Sequence, residues 1–151
     1  MPLPDPVPGL VISYAYLWGG QQDQGREEGI KDRPCVVVLA VRQEEGERLV
    51  TVAPITHAPP RHPTEAIELP AATKRRLGLD DARSWIVATE MNRFPWPGPD
   101  LRPVPGRPGV FAYGSLPRRL MLQLRVRIFE LHRDRRFRMV SRATDDNENT
   151  R

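Results

Sequence analysis

KDRPCVVVLA, Lys31 to Ala40, passes from charged residues through Arg33 and Pro34 into an unbroken apolar run. A strand with one wet face alternates apolar and polar residues. This one does not, so it predicts a strand buried on both faces or at a barrel's centre. Pro34 has no N–H to give to a ladder and suits the first position of a strand. Arg33 is costly to bury without a partner, which places it at the rim, where the preceding loop ends.

Outward from this strand, the punctuation is clear. Before it, GGQQDQGREEGIKD (Gly19 to Asp32) has no apolar periodicity and predicts a long, polar, mobile loop. GLVISYAYLW (Gly9 to Trp18) alternates and reads as a first strand. Residues 1–8 carry proline at every second position and read as an extended lead-in. After the central strand, RQEEGER is a hairpin turn with Gly46 free to take positive φ. LVTVAPIT (Leu49 to Thr56) is the third strand, and Pro54 predicts an edge or a bulge at its end. TEAIEL is a short fourth strand. PAATKRRLGL gives one or two helical turns stopped at Gly78. SWIVATEMNRF (Ser84 to Phe94) is the fifth strand. Residues 95–109 form a Pro/Gly-rich insertion, and VFAYG a brief strand or turn. SLPRRLMLQLRVRIFEL predicts a helix over about 117–132, with Ser115 as N-cap. Leu120, Met121, Leu124, Ile128 and Leu131 make its apolar stripe, and arginines fill the other face. Residues 143–151 read as a flexible tail. Short strands with turn signals and a terminal helix predict a mainly β domain, a small antiparallel barrel or strongly curved sheet, over 9–142.

The chain has 151 residues, 39% of them hydrophobic, enough for one core. No apolar run is long enough to span a bilayer. MPLPDPVPG lacks the basic start and apolar segment of a signal peptide. Cys35, the single cysteine, allows no intramolecular disulfide. A cytoplasmic protein is expected from these features. The formal charge is +4, from 21 arginines and 2 lysines against 19 acids. Nine arginines lie between Leu116 and Arg142, against Glu130 and Asp134 alone. That excess suits a polyanionic partner, although a GC-rich genome also raises arginine. His57, His62, His132 and Cys35 match no closed zinc pattern. There is no nucleophile elbow and no Gly-rich phosphate loop. No metal and no cofactor are expected.

The candidates for chemistry lie at strand ends. The hairpin makes the start of one strand the neighbour of the next one's end, so Arg33 and Thr56 are expected side by side, with His57 at the same rim. A guanidinium fork beside a hydroxyl is a phosphate clamp. RNA can be cut without metal when the ribose 2′-hydroxyl attacks the adjacent phosphate, provided the added charge is stabilised and two protons move. Arginine supplies the charge but stays protonated. The base is then Glu90, His57, water or the substrate. A surface ion pair for Arg33 and a turn role for Thr56 are the simpler readings.

Three stretches resemble the MazF/PemK family of toxin–antitoxin toxins: GLVISYAY, KDRPCVVVLA after its Gly-rich loop, and VTVAPITH. SWIVATEMNRF is a weaker match. The resemblance covers about residues 9–94 and, loosely, the terminal helix. It implies an SH3-like barrel of about five to seven strands, usually a homodimer. It further implies metal-independent cleavage of single-stranded RNA to 2′,3′-cyclic phosphate and 5′-hydroxyl ends, blocked by a cognate antitoxin. The family's arginine and threonine fall on Arg33 and Thr56, and its acid near Glu90. Where some members carry arginine two residues before that acid, this chain has Ala88. Arg33, Thr56, Glu90 and His57 are therefore the candidate catalytic residues. Lys31, Trp18, Gln24 and Arg93 are the candidate substrate contacts. A barrel that binds nucleic acid without cutting it, or a protein-interaction module, are the alternatives.

Overall fold

The computed structural model describes residues 3–20 and 31–142. The fold is mainly β with two helices. The strands are β1 (Leu10–Ala15), β2 (Asp32–Arg42), β3 (Arg48–Thr56), β4 (Ala66–Glu68), β5 (Trp85–Val87), β6 (Glu90–Pro95), β7 (Leu101–Arg102), β8 (Ala112–Ser115) and β9 (Arg138–Ser141). The helices are α1 (Ala71–Leu77) and α2 (Arg118–Arg133). Among the described residues, no helix is long and apolar enough to cross a membrane.

β2 lies at the centre, antiparallel to β1 on one side and to β3 on the other. The far edge of β1 takes β7 and β8. The far edge of β3 takes β6 along its first half and β5 at its end. β4 pairs with β5, and β9 runs parallel to β6.

This central place explains the unbroken apolar run. Cys35 and Val37 face a core of Ile12, Tyr14, Tyr16, Val50, Val52, Phe94 and Trp96. Val36, pointing the other way, joins Val11, Ala53, Ile55 and the α2 residues Leu120, Met121, Leu124 and Leu131. Side chains alternate between faces with a period of two, so only an apolar run satisfies both. Each such side chain contributes about 1.5–3 kcal/mol when fully buried. Cys35 is part of this packing, and burial pushes its thiol well above the usual range.

Nine strands form among the described residues, more than the five to seven expected, and the sheet does not close into a barrel. β6 pairs with β3 and β9, and β1 with β2, β7 and β8, so β1 and β6 do not pair. Side chains bridge the seam between them. Asn92 accepts from the Leu17 N–H at 3.0 Å and donates to the Leu17 carbonyl at 2.9 Å. Arg142 donates to the Ala15 carbonyl at 3.0 Å and pairs with Asp100 at 3.0 Å.

Several local expectations change. β3 is a central strand, not an edge; Pro54 falls in the two-residue gap where its second partner switches from β6 to β5, a place that asks for no N–H. The expected strand Ser84–Phe94 breaks at Ala88–Thr89; the Ala88 N–H bonds to the Glu65 carbonyl in continuation of the β4–β5 register, and the pairing with β3 and β9 begins beyond Thr89. Ser115 ends β8, and Pro117 takes the cap position of α2 without a side-chain cap. The outer face of α2 is not all arginine: Leu122, Val126 and Phe129 are also exposed there. The 95–109 insertion contains the short β7.

Candidate active site

The site grows from the end of the central hairpin. Cys35 pairs with Pro54; carried two residues further, that register sets Arg33 against Thr56. Residues opposite one another in an antiparallel pair point to the same face. Arg33 and Thr56 both line two adjoining clefts, one of about 550 Å³ and one of about 360 Å³.

Arg33 is half-buried, and its guanidinium carbon lies 5.3 Å from the centre of the Trp18 ring. Trp18 in turn meets Tyr16 edge-on at 5.0 Å. Among the described residues the arginine is thus held against an aromatic wall and pairs with no carboxylate. Its buried Nε has no hydrogen-bond partner among the described residues. Thr56 Oγ1 accepts from the Ala58 N–H at 3.2 Å, the turn role open to it from sequence. That bond uses an oxygen lone pair and leaves the hydroxyl proton to donate.

His57 follows at the rim of the larger cleft. Its Nε2 is 2.9 Å from Asp80 Oδ2. The other carboxylate oxygen of Asp80 takes a bond from Lys74 Nζ at 2.9 Å. Lys74 is buried, and also donates to Ser84 Oγ at 2.7 Å and to the Ala82 carbonyl. The bond from Lys74 holds the Asp80 carboxyl below the usual carboxylate range against the opposing effect of burial, with the nearby His57 helping. Gly78, at φ 75, ends α1 in the left-handed conformation and turns the chain toward Asp80. Asp80, Lys74 and Ser84 escape a sequence reading, because His57 and Asp80 are 23 residues apart with no spacing that links them.

The other candidates are dispersed. Lys31 lies exposed on the wall of the larger cleft. Gln24 and most of the 19–32 loop lie outside the described residues, as does the 143–151 tail. Glu90 lines neither cleft. Its Oε2 accepts from the Tyr16 hydroxyl and the Gly19 N–H, each at 3.0 Å. Burial pushes its carboxyl above the usual range, against those two bonds and Arg138. Arg93 lines a separate hollow beside the end of α2. Among the described residues, no cluster of three or more His, Cys, Asp or Glu side chains could hold a metal ion.

Against known proteins, the chain matches no family model, no curated protein and no solved structure. The geometry therefore carries the functional reading. It offers a fixed cation, a hydroxyl donor and a carboxylate-bound imidazole along one cleft.

Proposed function

We propose that this chain is a metal-independent endoribonuclease acting on single-stranded RNA. The observation that carries the reading is that Arg33 and Thr56 line the same two clefts, with the bonded pair His57 and Asp80 lining the larger one. Thr56 donates to a non-bridging oxygen of the scissile phosphate. Arg33 neutralises the charge that grows as the ribose 2′-oxygen bonds to phosphorus. Asp80, kept charged by Lys74, accepts the Nε2–H of His57 and fixes that tautomer, leaving the Nδ1 lone pair as base. The 2′-hydroxyl proton passes to Nδ1, the P–O5′ bond breaks with its pair on O5′, and water protonates O5′. The ends are a 2′,3′-cyclic phosphate and a 5′-hydroxyl. The same reading carries a homodimer and an antitoxin that blocks the cleft.

The test is cleavage of a long RNA in EDTA. Wild type is expected to leave cyclic-phosphate ends. Arg33→Ala is expected to lose about 10²–10³-fold in rate, the scale for one oxyanion donor, and Thr56→Ala a smaller factor. Equal rates in all three proteins sink the assignment. A second reading, binding without cleavage, draws on Ala88. It is fully buried in the core under α2, so the arginine some family members carry there has no room. RNA that is bound but stays intact at excess protein selects that reading.

A further inference from the structure

Arg93, the candidate substrate contact that stands apart from the cleft, belongs to a second basic hollow. This concavity of about 540 Å³ is lined by Arg93, His132, Arg133, Arg135, Phe137 and Met139. No carboxylate is among them. Arg133 pairs with the neighbouring Asp134 at 3.3 Å. The guanidinium groups of Arg93 and Arg135 have no hydrogen bond or ion pair among the described residues. Elsewhere in this basic part of the chain, Arg118, Arg119 and Arg125 on α2 likewise have no hydrogen bond or ion pair among the described residues, but other arginines are used by the fold. Arg127 binds the Pro63 and Ala66 carbonyls, Arg136 pairs with Glu65, and Arg142 with Asp100.

The backbone places Arg135 there against local preference. The N–H of Arg135 bonds to the His132 carbonyl and that of Arg136 to the Leu131 carbonyl, closing α2. Arg135 has φ 61, the conformation in which helices ordinarily end on glycine. Guanidinium groups sharing one hollow repel each other, and among the described residues Asp134 is the one carboxylate paired with any of them. A bound anion relieves that repulsion. The floor is apolar: Phe137 and Met139 are half-buried, and the Phe137 ring lies 5.5 Å from that of His132. Forked cations beside an aromatic face match the two halves of an unpaired nucleotide, phosphate and base.

We propose that this hollow is a second binding site for a single-stranded RNA, with Arg93 and Arg135 on successive phosphates and a base against Phe137. The choice of RNA rests on the proposed function. The test is fluorescence anisotropy with a labelled 2′-O-methyl oligouridylate, which binds but cannot be cut, across a salt series. Wild type is compared with the double variant Arg93→Ala/Arg135→Gly, whose glycine suits the backbone at 135. The double variant is expected to bind about tenfold more weakly at 0.1 M salt. Its slope of log affinity against log salt is expected to be shallower by about 1.4, about 0.7 for each lost phosphate contact. Unchanged affinity and slope overturn the site, even if wild type cleaves RNA in EDTA. A shifted slope in a protein that cleaves nothing keeps the site and removes the nuclease. An equal loss for labelled polyglutamate overturns it too, since the hollow then takes acidic protein rather than a nucleotide.

Discussion

Glu90 holds a carboxylate oxygen between two donors, the Tyr16 hydroxyl and the Gly19 N–H, yet burial still pushes its carboxyl above the usual range. A carboxyl raised in this way binds its proton more tightly folded than unfolded. Stability therefore falls as pH rises from the ordinary carboxylate range through the folded value, and stays lower above it. Glu90→Gln keeps an oxygen for both donors and removes the charge. The variant is expected to melt higher than wild type at pH 7, with the gap closing as pH falls below about 4. Thermal melts followed by circular dichroism at several pH values check this. A variant that melts lower throughout would mean that the attraction to Arg138 outweighs burial. At this scale the sequence was informative where chain neighbours decide the outcome. Arg33 and Thr56 line the same clefts because they flank the two ends of one hairpin ladder. Asp80 was invisible because the end of α1 delivers it to His57 from a distant part of the chain. Glu90 sits in a strand as expected, but its partners come from the end of the first strand's extension, and no pattern within β6 announces them.

At the scale of elements, α2 was the most legible part. The stripe of Leu120, Met121, Leu124 and Leu131 is buried as its spacing predicts, and Ile128 packs at its margin. Leu124 is fully buried, so Leu124→Ala is expected to cost about 2–5 kcal/mol. Phe129 is 67% exposed on the opposite face, so Phe129→Ala is expected to change stability by about 0.5 kcal/mol or less. Urea denaturation of the two variants beside wild type measures both, and similar losses would contradict this packing. β9 was not legible. Its pairing with β6 is parallel and joins residues about 50 positions apart. The break between β5 and β6 was hidden for a related reason. Ala88 and Thr89 are ordinary strand residues, and the change of partner from β4 before them to β3 and β9 after them is set by distant parts of the chain.

For the whole molecule, the decisive feature is a seam rather than a strand. β1 and β6 approach without forming a ladder, and the fully buried Asn92 satisfies both backbone groups of Leu17 in place of one. A side-chain amide carries the same donor and acceptor as a peptide, so it can stand in for a neighbouring strand at one residue. A side chain thereby joins the extension of β1 to β6 in a sheet that is not closed into a barrel. A sequence reading cannot find this, because an asparagine between Met91 and Arg93 looks like the polar half of an alternating strand. The arrangement also ties the seam to the site. Leu17 precedes Trp18, whose ring supports Arg33, and Tyr16 on its other side is bound to Glu90. Asn92→Ala removes both bonds and leaves a buried N–H and carbonyl unpaired, at a cost of about 1–3 kcal/mol for each. Loosening Leu17 frees Trp18, so the support of Arg33 is expected to weaken as well. Chemical denaturation should show the lost stability. Hydrogen exchange should show faster exchange at the amides of Leu17 and Trp18 than the global loss explains. Exchange that rises uniformly across the chain would make Asn92 a general packing residue and detach the seam from the site.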